Sequence, residues 1–378
     1  MSTDTSTFIT AGGKRFHYVW LRDHCLCPAC HYPESFQKLY DVSLYGAPAA
    51  PLSVEEVDGE LHIMWNEDPP HRSVFPLDWL HRHAYDPIPA PERRYERLLW
   101  DKAQLESAAV AWPDARSSRF DDWADQLLTL GFTILRHLTL DALHALLDAI
   151  GPRHPTEYGT TPSRVKPTPG STDLSLSAAG YALSPHTDGS YRQGENLLQY
   201  LYACENTTVG GESILVDGFR VAREVRRHHP EAFRLLTDTP VRFRQFDSHI
   251  GYFLCHTTPI IKLDRTGDFE AVYFSHKNSN WHLPFDRMEP FYQAYCTFAR
   301  YLHDPAYQYR IRLDAGDCLL TQNARVLHGR TAYEPHTGYR ELEAGYISWI
   351  YVHGRRDYPH FQAQFLGEGA VQPGHQPA

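Results

Sequence analysis

His186-Thr187-Asp188 and, with its histidine 142 residues further on, Leu327-His328-Gly329-Arg330-Thr331-Ala332-Tyr333 are the stretches on which the reading of this chain turns. Two imidazoles and one carboxylate form the facial triad of protein ligands on a non-haem Fe(II), and they leave the other coordination positions open. Open positions admit a co-substrate and O₂, so the pattern names a chemistry as well as a metal. On a strand, His186 and Asp188 would project from one face, because side chains alternate with a period of two. His328 must then be delivered by the fold. The chain holds 23 histidines, so His-x-Asp alone is a weak signal and draws its weight from its surroundings.

Outward from the triplet, strand-like apolar runs alternate with loops: Asn196 to Tyr202, Ser213 to Val216, Glu270 to Phe274, Asp317 to Leu320 and Tyr346 to Val352. Helical periodicity marks Val221 to Leu236 and Pro290 to Leu302 within them, and Asp121 to Leu130 and Thr139 to Ile150 ahead of them. Thr139 is placed as a cap and Gly151 as a stop. Phe132-Thr133-Ile134-Leu135 reads as a strand between those two helices. The pattern predicts a mainly β fold with helices, a barrel or double-sheet core buttressed by helical segments.

Residues 1–95 differ in composition. Short aromatic and β-branched runs such as Phe16 to Trp20 and Leu61 to Trp65 are separated by turns such as Asp58-Gly59, which predicts a small antiparallel unit. Asp86-Pro87-Ile88-Pro89-Ala90-Pro91 reads as a stiff linker. The division expected is therefore 1–95, a second domain at 96–366, and a frayed tail at 367–378. Within the first block, Cys25, Cys27 and Cys30 place three thiols in six residues. Thiols at that density, without a secretion signal, suit zinc better than a disulfide framework. The fourth ligand is open from spacing alone among His24, His31, His62, His71, His81 and His83. The rival reading is a redox-active thiol cluster.

Composition closes several classes. A net charge of -10 argues against a broad footprint for nucleic acid or an anionic membrane. No run approaches the roughly 18 apolar residues of a membrane span. The first residues carry neither a basic nor an apolar signal region, so the expected location is the cytoplasm.

The triplet, Gly210-Gly211-Glu212-Ser213, Val216-Asp217-Gly218-Phe219, Gly316-Asp317 and Leu327-His328-Gly329-Arg330 stand in an order and spacing that resembles the clavaminate-synthase-like dioxygenases. More narrowly, the chain is similar to the γ-butyrobetaine and trimethyllysine hydroxylases over nearly its whole length. The resemblance implies a double-stranded β-helix (jelly-roll) core preceded by a small zinc-binding β domain. It implies His186, Asp188 and His328 as Fe(II) ligands, with 2-oxoglutarate and O₂ as co-substrates. Arg340, twelve residues after His328, matches the position that clamps the distal carboxylate of 2-oxoglutarate, and Ser213 matches the assisting hydroxyl. A guanidinium suits that clamp because its planar fork pairs with a carboxylate bidentately. Retained Asp188 favours hydroxylation over halogenation, with desaturation and demethylation sharing the same oxidant. Trp20-Leu21-Arg22-Asp23-His24-Cys25 looks like the family's N-terminal domain, and His71, ahead of Asp78-Trp79-Leu80, matches its fourth zinc ligand. The family also implies a homodimer.

A quaternary ammonium is held by aromatic faces, and the betaine hydroxylases build such a cage from four positions. Tyr158 and Tyr346 match two of them; the other two are Pro162 and Ala178, with Tyr181 and Tyr191 near enough in sequence to substitute. Phe274-Ser275-His276-Lys277-Asn278 departs from the family's asparagine pair. The expected substrate is a small zwitterionic amine or betaine, with trimethylaminoalkyl phosphonates and amino-acid derivatives as competitors. A barrel that only senses 2-oxoglutarate is the non-enzyme alternative, and a zinc-dependent interaction module a second.

Overall fold

The computed structural model describes residues 7–32, 35, 37–44, 50–87, 95–157, 159–166, 180–192, 196–248 and 251–366. The chain divides into two compact units, Met1–Arg94 and Tyr95–Ala378. The expected tail from 367 and residues 88–91 of the expected linker lie outside the described residues.

In the first unit, strands Pro51–Val57, Glu60–Trp65 and His71–Pro76 form an antiparallel sheet in that order. Asp58 and Gly59 join the first two with positive φ at both positions (50° and 81°), the backbone that matches the natural twist of a two-residue hairpin. Along Glu60–Trp65 the alternate residues Leu61, Ile63 and Trp65 are buried with Phe16, Leu21, Phe75 and Leu80. That burial fixes which face of the sheet looks inward, and with it where His71 points.

The second unit is built on two antiparallel sheets. One has the order Phe132–Leu135, Cys318–Gln322, Leu197–Asn206, Arg340–Ser348, Ser163–Val165. The other has the order Tyr309–Ile311, Ser213–Asp217, Val326–Arg330, Leu183–His186. Their facing sides share one apolar core, in which Phe132, Ile134, Ala203, Leu319 and Leu342 meet Leu215 and Val326. The period of two is visible residue by residue. Leu319 enters that shared core, while Cys318 and Leu320 face the helices Phe120–Leu130 and Leu140–Ile150 on the outer side. Val326 likewise faces inward, and Leu327 packs against the helices Gly218–His228 and Phe285–His303.

Two sequence expectations are corrected. Val221 to Leu236 is two helices, Gly218–His228 and Pro230–Asp238, because Pro230 lacks the N–H that would continue the first and is suited to begin the second. Tyr346 to Val352 is only partly strand: Arg340–Ser348 ends there and the helix Trp349–Leu366 begins. Short apolar runs do not declare their period. Here Trp349 and Val352, three apart, enter the core as a helix would place them. Thr139 does cap Leu140–Ile150, accepting from Ala142 N at 3.2 Å.

One buried ion pair locks the turn that leads into the His328 strand. Arg325 and Asp217 are wholly buried; Nη2 donates to Oδ2 at 2.9 Å and Nε to Oδ1 at 3.3 Å. Arg325 also donates to the carbonyls of Thr129 and Leu98, and Asp217 accepts the backbone N–H groups of Trp100 and Phe219. Removing one partner strands a buried charge. Arg325→Met is expected to cost about 3–5 kcal/mol of stability, read from denaturant unfolding. A loss below about 1 kcal/mol, the range of a surface pair, would show that the pair does not hold this turn.

Candidate active site and metal centres

His328 lies on strand Val326–Arg330 and His186 ends strand Leu183–His186; the two residues face each other in the antiparallel register. Cross-strand partners bring their side chains together, and the imidazole centroids are 4.5 Å apart. Gly329 makes the pairing possible. A Cβ there would lie 2.6 Å from the Leu183 carbonyl oxygen, so a side chain would push the strands apart. Asp188 sits in the turn after the strand, not on it. Its place is set by Asn323, which accepts from Asp188 N (3.0 Å) and donates to its carbonyl (2.8 Å).

His186 Nε2 is 3.2 Å from Asp188 Oδ1, and His328 Nε2 is 3.6 Å from Oδ2. The three ligand atoms all fall within 4.8 Å of one another, close enough for one ion to touch all three. The donor set fits a ferrous ion. His186 Nδ1 donates to the Ser184 carbonyl at 2.8 Å, which leaves Nε2 as the free lone pair. Burial, helped by His186 and Lys277 and opposed by Asp188, pushes His328 down to about 3, so it is neutral as a ligand must be. Burial works against the charge on Asp188, but His328, His186 and Lys277 outweigh it and hold the carboxyl well below the usual range. Tyr346 and Gln199 orient the carboxylate, donating to Oδ2 at 2.8 and 2.7 Å.

Arg340 is 4% exposed and its Nε has no partner among the described residues. Burial, with Arg330 and Arg312 adding and Tyr333 opposing, lowers it to about 10. Arg330 and Arg340 both lie near the Tyr333 ring, at 4.7 and 5.5 Å from its centroid. Among the described residues Arg340 forms no salt bridge, while Glu341 and Glu343 of the same strand pair with Arg164. A buried cation of this kind, at Arg340, calls for an anionic ligand. Ser213 is buried directly across the register from Arg330.

The tyrosines divide. Tyr158 lies outside the described residues. Tyr181 is 72% exposed and contributes its carbonyl to Arg330. Tyr191 and Tyr346 come together, and between them stands Arg192, its Cζ 5.3 and 5.5 Å from their ring centroids. Glu157 holds that guanidinium at 2.5 and 3.1 Å and also accepts from Tyr191 OH.

In the first unit, Cys25, Cys27, Cys30 and His71 converge. The sulfurs are 3.3, 3.7 and 3.5 Å from His71 Nε2. Ligands on a tetrahedral zinc are roughly 3.5 Å apart, given Zn–S of about 2.3 Å and Zn–N of about 2.0 Å. Of the other candidates, His24 and His83 bond helix carbonyls and His62 bonds Glu60, and the group of converging ligand atoms includes none of them. Arg22, paired with Glu67, donates to Cys30 Sγ at 3.3 Å and supports a thiolate there. Burial raises the thiols of Cys25 and Cys30, the latter to about 12, so both carry protons at neutral pH without metal. Zinc must displace those protons. Zinc binding at pH 7 is expected to release about two protons and to weaken as pH falls. Calorimetry in two buffers of different ionisation enthalpy reads this directly, and no buffer dependence would refute thiolate ligation.

Sequence reasoning missed Gln199, Asn323, Glu157 and Arg192. None sits in a motif with a mechanism attached, and only the packing of distant segments gives them a role.

A facial set of two imidazoles and a carboxylate, on a two-sheet antiparallel core with buried arginines nearby, defines the class of Fe(II)/2-oxoglutarate-dependent dioxygenases. The chain belongs to the taurine catabolism dioxygenase TauD, TfdA family, whose sequence model matches residues 98–346, and residues 7–81 match the gamma-butyrobetaine hydroxylase-like N-terminal domain. It is 30% identical to a gamma-butyrobetaine dioxygenase of Pseudomonas sp. strain AK-1, over 88% of this chain and 87% of that one. It is 28% identical to a trimethyllysine dioxygenase of Meyerozyma guilliermondii, over 88% of each chain. Among solved structures, an asparagine oxygenase with Fe(II), hydroxyasparagine and succinate aligns with 62% of this chain and 76% of its own, at TM-score 0.47 and 16% identity. Among the described residues no helix is long and apolar enough to cross a membrane.

Proposed function

We propose that the protein hydroxylates an unactivated C–H bond of a small zwitterionic amine or betaine, with His186, Asp188 and His328 as the iron ligands. The observation that carries this reading is the convergence of those three side chains from two paired strands and the following turn. In the bound state, Fe(II) supplies oxidative decarboxylation of 2-oxoglutarate to succinate and CO₂, coupled to oxidation of the substrate.

The chain's own residues do the positioning. Arg340, with Arg330 beside it and Ser213 across the register, receives the distal carboxylate of 2-oxoglutarate. Gln199 and Tyr346 hold Oδ2 of Asp188, which fixes how the carboxylate presents itself to the metal. Tyr346 stays a neutral phenol, since burial and the adjacent Asp188 keep its proton on.

The same reading assigns a jelly-roll core. Strands Ser163–Val165, Leu183–His186, Leu197–Asn206 and Ser213–Asp217 alternate between the five- and four-stranded sheets, and so do Tyr309–Ile311, Cys318–Gln322, Val326–Arg330 and Arg340–Ser348. That crossing pattern supports a double-stranded β-helix. Residues 1–95 are assigned as a structural zinc domain, since four protein ligands leave no open position. The cytoplasmic homodimer inferred from the sequence belongs to the same reading, with sedimentation as its check.

The test is succinate release by Fe(II)-loaded protein across a panel of amines, betaines, phosphonates and amino acids. At least one zwitterion should stimulate release in an iron-dependent way. Release that no panel member alters would sink the hydroxylase reading and favour a 2-oxoglutarate sensor.

A further inference from the structure

We infer that Arg192 is a specificity-determining residue: its guanidinium fills a cation site built from Tyr191, Tyr346 and Glu157, so the quaternary ammonium of a substrate is shut out of these rings and seated elsewhere. This rests on the dioxygenase reading above and deepens it, by naming the end of a zwitterion that the two tyrosines do not take.

Aromatic faces together with a carboxylate make a site for a small cation, and the protein has that set beside the iron ligands. Tyr346, whose hydroxyl donates to Asp188 Oδ2 at 2.8 Å, supplies one ring. Tyr191 supplies the second, and its hydroxyl donates to Glu157 Oε1 at 2.5 Å. Glu157 supplies the charge. The whole set is already in use. The Arg192 guanidinium carbon is 5.3 and 5.5 Å from the two ring centroids, within the roughly 6 Å of a cation–π contact. Its Nε and Nη2 donate to Glu157 Oε2 at 3.1 and 2.5 Å. The Arg192 and Glu157 side chains are 11% and 5% exposed, so the pair belongs to the interior.

An ion pair that only braces the fold would account for Nε and Nη2 but not for the third nitrogen. Nη1 is buried and has no hydrogen-bond partner among the described residues. It lies against the turn that carries Asp188, 2.9 Å from where a Cβ on Gly189 would stand. Arg192 N closes that turn, donating to the Gly189 carbonyl at 2.7 Å. A buried donor left unmet costs stability. A cation placed for the ring faces accounts for it, since its interaction with them needs no acceptor.

The consequence for the substrate comes from occupancy and not from net charge, because Glu157 neutralises Arg192. A trimethylammonium has no N–H with which to replace the two bonds to Glu157. To reach the ring faces that Arg192 covers it would have to break both charge-assisted bonds without making any of its own.

Binding to the full-length protein loaded with Fe(II) and 2-oxoglutarate under nitrogen tests this. The probes are γ-butyrobetaine and 5,5-dimethylhexanoate, the same acid with carbon in place of the charged nitrogen, so the ratio of their affinities reads preference for the cation. The wild type should bind the betaine no more tightly than the isostere. In Arg192→Ala the betaine should bind about tenfold or more tighter than the isostere, and methylguanidinium, which refills the site, should reverse that gain. Arg192→Lys keeps an occupant cation and should show no such preference. Glu157→Gln/Arg192→Ala strands no carboxylate and covers the case in which the single variant does not fold; its ring faces alone should still favour the betaine severalfold. A general structural defect weakens both probes together and creates no new preference. A wild type that prefers the betaine, a preference that appears in neither variant, or variants that bind neither probe overturns the assignment. Succinate release in air keeps the two readings apart. Betaine preference gained in Arg192→Ala, with no succinate from the wild type on any substrate, sinks the hydroxylation alone. Succinate from the wild type, with no betaine preference in either variant, sinks the filled site alone.

Discussion

Asp188→Ala should abolish substrate-dependent succinate release, by about a thousandfold or more, while the protein stays folded. Bound iron supplies several kcal/mol of barrier lowering, and each 1.36 kcal/mol is about tenfold in rate. Asp188 is the charged member of the ligand set, and its removal leaves only the imidazoles of His186 and His328 to hold the ion. It lies in a turn outside the apolar core, so its removal costs the fold little. The loss should appear equally as weakened Fe(II) binding, measured by competition with a chelating dye. Tyr346→Phe gives the graded comparison. It removes one of two donors to Oδ2 and should lower metal affinity about 10- to 100-fold, the usual cost of an outer ligand partner. Full activity in Asp188→Ala would dispose of the iron site as described.

Arg340→Met should raise the KM for 2-oxoglutarate by about a hundredfold. Hydrogen bonds to charged groups are worth about 1.5–3 kcal/mol each, and a guanidinium can offer two to one carboxylate. The position is 4% exposed and its Nε is unpartnered, so the interaction would form away from water. Arg340→Lys keeps the charge and loses the fork, and should fall between the two. The KM for the oxidised substrate should move far less than that for the keto acid. An unchanged keto-acid KM in Arg340→Met would shift the clamp to Arg330.

Legibility in the sequence followed local physics. The hairpin at Asp58-Gly59, the cap at Thr139 and the strand at Phe132–Leu135 depend on neighbours in the chain, and each formed where its residues call for it. The run from Tyr346 to Val352 did not declare itself, because six apolar residues in seven satisfy either period until packing chooses one. Arg192 was harder still. A lone Arg has no sequence signature, and its meaning comes from a ring and a carboxylate supplied by other segments.

By itself, the sequence determined the ligand types, their order along the chain, and the alternation of apolar residues that two facing sheets require. Those follow from side-chain chemistry and short-range backbone preference. Only the tertiary structure decided that His186 and His328 stand opposite each other, that Gln199 and Tyr346 grip one oxygen of Asp188, and that Arg192 covers the tyrosine faces. The physical reason is strand register, since a shift of one residue turns every side chain to the other face. Register is set by the burial of whole sheets, which no single stretch of chain contains.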